Sequence, residues 1–243
     1  MQKETDNWYA SWFDTPFYHI LYKDRDYKEA GFFMQRLTEF LSLPKGAKIL
    51  DLACGKGRHS KYLNELGYDV IGADLSQSSI NYAKQFENET LHFEVHDMCK
   101  SFVTKFDAIF NLFTSFGYFK NEEDNLSTIQ AIKNGLKPNG FGVIDFLNVE
   151  HVRKNLVASE TKVIEGIKFQ INKRITDGYI FKEIEFVHEK ENYHFTERVK
   201  SISLEDFKMY FDAAGVQLYS CFGDYHLNVF DKSKSERLIL IFR

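Results

Sequence analysis

A short apolar strand pattern that runs into a glycine turn constrains the fold of this chain most. Residues 47–52 form a brief apolar run, typical of a strand buried on both faces. Glycines stand at positions 55 and 57, and the helical pattern that follows stops at Gly67. Glycine lets a backbone turn sharply and lets a ligand approach without a Cβ atom in the way. A strand, a glycine turn and a helix N-terminus in this order are typical of a nucleotide-cofactor site at the carboxyl edge of a sheet.

The charge at the end of this strand indicates which nucleotide cofactor fits. A dinucleotide site has the fingerprint G-x-G-x-x-G, whereas Ser60 stands where the third glycine belongs. Asp51 places a carboxylate close to where two phosphate charges would lie. A cofactor without phosphates that carries a sulfonium and an ammonium group is attracted by that carboxylate instead. These residues favour S-adenosylmethionine.

Three acids at successive strand ends carry a resemblance to a known family. The stretch from Asp51 to Gly57 resembles the first motif of the class I S-adenosylmethionine-dependent methyltransferases, an acid followed by x-G-x-G-x-G, with Ala53 in place of the first glycine. Asp74 ends the second predicted strand and can accept hydrogen bonds from both ribose hydroxyls; a helix N-cap is its alternative role. Asp97 ends the third strand, and the resemblance implies that it binds the adenine amino group.

An unusually aromatic segment, residues 8–22, precedes the first strand. Class I methyltransferases for small molecules often place N-terminal helices as a lid over the cofactor. The alternative is a hydrophobic clasp without ligand contact. Together, the lid and the strand ends imply these cofactor-binding residues: Tyr18, Tyr22, Arg25, Asp51, Ala53, Cys54, Gly55, Gly57, Arg58, Asp74, Leu75, Ser76, Asp97, Met98, Asn111 and Leu112.

The rest of the chain predicts an α/β fold with a seven-stranded, mostly parallel sheet of the class I methyltransferase type. The element from Leu136 to Gly140 resembles the family's L-K-P-G-G turn. Partial apolar alternation over 162–175, 179–188 and 193–202 predicts an inserted antiparallel three-stranded meander. The expected organisation is a helical lid (1–44), a cofactor-binding core (45–148), an antiparallel insertion (149–203) and the end of the core (204–243).

Methyl transfer needs a base only where the nucleophile must lose a proton. The candidates for catalytic residues are His19, Tyr118 and His226, and each histidine has a surface or structural role as its alternative. His92 and His96 lie on one face of a strand without a third ligand, so no metal is expected. The chain is therefore interpreted as a methyltransferase for a small-molecule acceptor, with S-adenosyl-L-methionine as cofactor. The alternatives are a non-catalytic cofactor sensor and a nicotinamide-dependent oxidoreductase.

Composition limits the partners and the compartment. The net charge of −4 gives no electrostatic footprint for nucleic acid. Three scattered cysteines argue against a disulfide framework. No apolar run approaches membrane length, and the polar N-terminus has no signal-peptide pattern. We expect a cytoplasmic protein without a membrane partner, and the sequence leaves a homodimer open.

Overall fold

The computed structural model describes residues 12–23 and 27–243, and it shows two sheets with helices around the larger one. The helices are α1 (Pro16–Leu21), α2 (Tyr27–Phe40), α3 (Arg58–Glu65), α4 (Gln77–Ala83), α5 (Glu122–Gly135), α6 (Val149–Asn155) and α7 (Leu204–Ala214). The strands are β1 (Lys48–Leu52), β2 (Asp69–Asp74), β3 (Leu91–Val95), β4 (Phe106–Asn111), β5 (Leu136–Leu147), β6 (Ser159–Ile164), β7 (Ile167–Thr176), β8 (Tyr179–His188), β9 (Glu191–Lys200), β10 (Leu218–Phe222) and β11 (Arg237–Phe242).

The larger sheet has seven strands in the order β10-β11-β5-β4-β1-β2-β3. β11 runs antiparallel to both of its neighbours, and β1 to β5 are parallel to one another. The chain leaves β1 toward β2 on one side, while β4 lies on the other side of β1. A crevice opens at the carboxyl ends of the strands where the order reverses in this way, and ligands bind there in open α/β sheets. The predicted seven-stranded, mostly parallel sheet is confirmed.

Both faces of this sheet are buried, and β1 shows how the sequence achieves it. Ile49 packs into the cluster that includes α2 and α3, whereas Leu50 and Leu52 pack into the cluster that includes α5 and α7. All three side chains are at most 3% exposed. Since successive side chains of a strand point to opposite faces, Asp51 shares the α3 face with Ile49. The alternation thus directs a carboxylate toward the helix that follows the glycine turn.

The second sheet differs from the prediction because it has four antiparallel strands, in the order β6-β7-β8-β9. The expected first strand, 162–175, is interrupted by a hairpin turn at Glu165 and Gly166, with φ of 52° and 79°. Two consecutive residues with positive φ form the tight turn that suits a two-residue hairpin. Such turns favour Asn or Asp at the first position, and glutamate there gives only a weak signal. The prediction of three strands was therefore wrong by one, and the short helix α6, which leads into β6, was not predicted.

The apolar face of the second sheet is covered by the N-terminal segment of the same chain. Trp12 and Leu21 are buried against one face of this sheet, whose buried members are Ile167, Phe169, Ile171, Ile184 and Phe186. Phe195 packs against the same cluster, whereas Val199 packs on the core of the larger sheet. The apolar alternation over 162–175 indicates that one face of this sheet is buried, but it does not indicate which segment of the chain covers that face. In the described part of the chain, no helix combines the length and the apolarity needed to cross a membrane.

Candidate active site

A cavity of about 720 Å³ lies at the carboxyl edge of the larger sheet. Its wall takes residues from the segments that follow β1, β2, β3 and β4, and from the N-terminal segment that includes α1. The volume lies within the range of small-molecule and cofactor sites. The topology therefore brings five separate parts of the sequence to one cavity.

The turn after β1 has the left-handed backbone that its glycines imply. Ala53, Gly55 and Gly57 have φ of 64°, 56° and 80°. A Cβ atom at Gly57 would lie 2.5 Å from the Phe93 ring, so the close approach of β3 requires glycine there. A Cβ atom at Gly55 would meet nothing within 4 Å, and Gly55 lines the cavity. Ala53 adopts the same region at a cost of about 1–2 kcal/mol, which explains how alanine replaces the first glycine of the motif.

Asp74 organises this turn and also faces the cavity. Its Oδ2 accepts a hydrogen bond from the Gly55 backbone N–H at 2.8 Å, and its Oδ1 accepts one from Ser76 N–H at 2.9 Å. Each carboxylate oxygen accepts two hydrogen bonds, so acceptor sites remain for a ligand. Burial raises the pKa of Asp74 despite these hydrogen bonds. The arrangement fits a group with two adjacent hydroxyls, such as a ribose.

Asp51 is held by the residue that replaces the third glycine of the dinucleotide fingerprint. Ser60 donates its hydroxyl to Asp51 Oδ2 at 2.6 Å, and both residues are buried. Burial raises the pKa of Asp51 to about 6, although the hydrogen bonds from Ser60 act to lower it. Asp51 lines the cavity, and a cationic ligand bound there would offset the free-energy cost of burying its charged carboxylate.

We expect affinity for a cationic cofactor to rise between pH 5 and pH 7. Below pH 6 Asp51 is mostly protonated, and its attraction for a sulfonium or ammonium group is lost, which amounts to about tenfold in affinity over this interval. The ligand-free protein should show the opposite trend. Its native state binds the Asp51 proton more tightly than the unfolded state does, so its stability falls as the pH rises from about 4 to 6. Calorimetric titrations with S-adenosylmethionine across this range measure the effect, and Asp51→Asn should flatten both trends. An unchanged slope in Asp51→Asn would contradict the assignment.

The ends of β3 and β4 supply another part of the wall. Asp97 and Met98 line the cavity, and Asp97 Oδ1 accepts a hydrogen bond from the Cys99 backbone N–H at 3.0 Å. Asn111 is fully buried behind this wall, where its Nδ2 donates to the Leu52 carbonyl oxygen at 3.1 Å. Its neighbour Leu112 does reach the cavity. Asn111 therefore supports the wall and does not line it.

The N-terminal segment forms another part of the wall and is hydrogen-bonded to the second sheet. Tyr22 lines the cavity and donates its hydroxyl to Glu197 Oε1 at 2.6 Å. Trp12 Nε1 donates to the same oxygen at 2.7 Å, and Lys182 donates to the Tyr22 hydroxyl. The Lys182 ammonium lies 3.7 Å from Glu197 Oε2. This polar cluster joins β8 and β9 to the N-terminal segment at Trp12 and at Tyr22.

His19 lines the cavity as a neutral imidazole. Burial lowers its pKa from 6.5 to about 4, assisted by the charge of Lys56 and opposed by Asp14. At pH 7 such a group accepts or donates a hydrogen bond, but it is a weak base. Tyr118 lines the same cavity, and its ring contacts Phe13 with a centroid distance of 5.6 Å.

The structure brings most of the sequence-predicted site residues to the cavity, and it places four of them elsewhere. His226 lies outside the lining, and its ring centroid lies 4.8 Å from that of Phe32. Ser76 caps α4 by accepting from Ser79 N–H, and it donates to Asp14. Gly57 and Asn111 lie behind the wall, and Arg25 lies outside the described residues. The members that do line the cavity are Tyr18, His19, Tyr22, Asp51, Ala53, Cys54, Gly55, Arg58, Asp74, Leu75, Asp97, Met98, Leu112 and Tyr118.

Sequence reasoning did not assign several lining residues. His59 and Phe113 stack on each other at the end of the glycine turn, with ring centroids 4.8 Å apart. The others are Phe13, Lys23, Lys56, Ser79, Cys99, Ser115, Phe119 and Asp124. Adjacency in sequence to assigned residues was the available signal for Lys56, His59 and Phe113. Ser79 and Asp124, which lie in helices after the strands, gave none.

The chain is similar to methyltransferases in sequence. Residues 49–140 match the family model described as a methyltransferase domain. A glycine/sarcosine N-methyltransferase of Halorhodospira halochloris is 32% identical over 142 residues, which are 55% of this chain and 50% of the relative. A dTDP-3-amino-3,4,6-trideoxy-α-D-glucopyranose N,N-dimethyltransferase of Streptomyces venezuelae is 30% identical over 104 residues, 42% of this chain and 43% of the relative. The chain thus spans about half the length of the curated relatives it matches.

Solved structures resemble the fold over nearly all of its length. An S-adenosylmethionine-dependent methyltransferase from Clostridium acetobutylicum has a TM-score of 0.79 at 20% identity, and the match covers 93% of this chain and 94% of that one. Streptomyces venezuelae DesVI has a TM-score of 0.70 at 21% identity, with 96% and 97% covered. Residues 49–140 therefore match the methyltransferase-domain family model, and the chain as a whole has the fold of the class I S-adenosylmethionine-dependent methyltransferases.

Proposed function

We propose that this protein transfers a methyl group from S-adenosyl-L-methionine to a small-molecule acceptor. The observation that carries the proposal is the convergence of Asp51, Asp74 and Asp97 on one cavity beside a left-handed glycine turn. This donor set fits the cofactor: Asp74 suits ribose hydroxyls, Asp97 suits the adenine amino group, and Asp51 suits the cationic end. Gly55 leaves open space toward the ligand, which a side chain would fill.

The cofactor supplies an activated methyl group on a positively charged sulfur, and the chain supplies alignment and exclusion of water. In-line transfer disperses charge, so orientation of the nucleophile accounts for much of what the protein contributes. The wall formed by Phe13, Tyr18, Tyr22 and Tyr118 is aromatic. Such a wall displaces water and attracts cations through the faces of its rings. We therefore assign the N-terminal segment the role of a lid.

An amine is the acceptor class that we favour. The names of the two relatives given above describe N-methyltransferases, and these support an amine here. A neutral amine attacks with its own lone pair, whereas an alcohol requires a base to take its proton. His19, with its pKa near 4, is a weak base and therefore suits an amine acceptor better than an alcohol acceptor. Its role is then to hold the acceptor by a hydrogen bond rather than to deprotonate it.

The test is methyl transfer from S-[methyl-³H]adenosylmethionine to panels of small amines, amino sugars and phenols. The proposal expects turnover with at least one amine, and thermal stabilisation of the protein by S-adenosylhomocysteine but not by NAD. Stabilisation by NAD alone would favour the oxidoreductase. Binding of S-adenosylhomocysteine without turnover of any acceptor would favour the sensor. Turnover confined to phenols would retain the methyltransferase and overturn the amine.

A further inference from the structure

Two neighbouring residues after β4 adopt a backbone conformation that their side chains disfavour. Phe113 and Thr114 have φ of 56° and 60°. Left-handed backbone at two consecutive residues other than glycine is costly, and it persists where the surroundings hold it in place. Phe113 lines the cavity, so this strained turn lies at the candidate site.

An ion pair between residues of two other strands holds this turn. Asp145, in β5, is fully buried, and its Oδ2 accepts a hydrogen bond from the Phe113 backbone N–H at 2.9 Å. Its backbone carbonyl oxygen accepts one from Thr114 N–H, also at 2.9 Å. Arg237, in β11, donates to Asp145 Oδ1 at 2.8 Å and to Thr114 Oγ1 at 3.0 Å. The Tyr225 hydroxyl lies 3.3 Å from Asp145 Oδ2. Both left-handed residues are therefore fixed by a single network.

The Phe113–Thr114 turn supports two residues of α3, the helix that follows the glycine turn. The Phe113 ring stacks on His59 at 4.8 Å, with an interplanar angle of 29°. The guanidinium carbon of Arg58 lies 4.9 Å from the centre of the same ring. Arg58, His59 and Phe113 all line the cavity, whereas Asp145 and Arg237 do not. A shift of the Phe113 backbone would displace the surface against which Arg58 and His59 rest.

We propose that Asp145 and Arg237 are positioning residues of the methyl-transfer site, because they hold the Phe113–Thr114 turn in its strained form and so set the position of the Phe113 ring, Arg58 and His59 along the cavity. The expected effect on kcat rests on the proposed function. The expected loosening of the Phe113–Thr114 turn rests on the geometry alone. The network acts through the turn, so it controls the alignment of the acceptor and the methyl group more than the binding of the adenosine end, where Asp74 and Asp97 lie.

Asp107, which is less buried than Asp145, offers a control at the opposite end of β4. Its Oδ2 accepts a hydrogen bond from the Lys48 backbone N–H at 2.8 Å and lies 2.7 Å from the Lys137 ammonium. It therefore also combines a backbone N–H with a cation, but it does not line the cavity. Asp107→Asn tests the loss of such a carboxylate without a change near the site.

The experiment compares Asp145→Asn, the double variant D145N/R237Q and Asp107→Asn with the wild type. The double variant removes both charges together, so it leaves no buried charge without a partner, and it keeps the test open if the single variant fails to fold. Amide hydrogen exchange at residues 113 and 114 should accelerate at least about tenfold in the Asp145 variants and stay unchanged in Asp107→Asn. With an acceptor that the wild type methylates, kcat should fall at least about tenfold while the dissociation constant of S-adenosylhomocysteine stays within about twofold.

Unchanged exchange at residues 113 and 114 would overturn the inference. So would a kcat that falls only in proportion to the folded fraction, or together with S-adenosylhomocysteine affinity. A wild-type protein that transfers no methyl group overturns the proposed function instead, and the exchange measurement then still decides whether Asp145 holds the turn.

Discussion

Replacement of Gly55 by valine is expected to abolish cofactor binding, whereas the same replacement at Gly46 should leave it intact. Both glycines have left-handed backbone, with φ of 56° and 74°, and neither has an atom within 4 Å of where a Cβ would stand. The backbone strain is therefore similar at the two positions. Gly55 alone of the two lines the cavity, so only its new side chain occupies the space of the ligand.

Calorimetric titration with S-adenosylhomocysteine measures the difference between these variants. We expect Gly55→Val to weaken binding by about 100-fold or more, which corresponds to about 2.7 kcal/mol, and Gly46→Val to bind as the wild type does. Thermal unfolding of both variants measures how much stability the protein loses when valine is forced into left-handed backbone. Full binding by a folded Gly55→Val protein would place the site elsewhere.

Truncation of Trp12 to alanine should destabilise the protein and open the cavity. Trp12 is 1% exposed, its ring centroid lies 4.4 Å from that of Phe195, and its Nε1 donates to Glu197. Loss of a buried aromatic side chain costs about 3–5 kcal/mol of unfolding free energy. Since α1 begins four residues after Trp12 and contains the cavity residues Tyr18 and His19, loss of the Trp12 contacts should loosen this part of the cavity wall.

Phe211→Ala is the matched control for Trp12→Ala. Phe211 is 2% exposed and packs on Phe242 under α7, away from the cavity lining. Denaturant unfolding should show losses of similar size for both variants. Under conditions where both remain folded, we expect Trp12→Ala to lower methyl-transfer kcat much more than S-adenosylhomocysteine affinity, and Phe211→Ala to change neither. Equal kinetics for the two variants would leave the N-terminal segment a purely structural role.

The parts of the fold that follow from local patterns were predictable from the sequence. Apolar runs and glycines define β1 and its turn within a dozen residues. The carboxyl ends of parallel strands meet at one edge of a sheet, so acids at positions 51, 74 and 97 were expected near one another. The structure places all three along one cavity. The extra strand β6 was missed because its hairpin turn, Glu165-Gly166, lacks the usual Asn or Asp.

The remaining features depend on contacts between residues far apart in the chain. Trp12 and Glu197 are 185 positions apart, and Asp145 and Arg237 are 92 apart. No periodicity encodes such a pairing. In the segment that follows β10, the sequence indicated His226, whereas its neighbour Tyr225 packs inward, with its hydroxyl 3.3 Å from Asp145 Oδ2. A loop histidine is conspicuous in a sequence, whereas the direction in which a loop presents its residues depends on tertiary packing.

The most direct test of the central claim is the affinity of Asp74→Ala for S-adenosylhomocysteine, with Asp69→Ala as the control. Asp69 begins the strand that Asp74 ends, and its carboxylate lies 3.4 Å from the Lys48 ammonium at the opposite edge of the sheet. Asp74 accepts hydrogen bonds from the glycine turn and faces the cavity. Loss of this charged acceptor should weaken binding by about 1.5–3 kcal/mol, while Asp69→Ala should bind as the wild type does. An unchanged dissociation constant in folded Asp74→Ala would contradict the account.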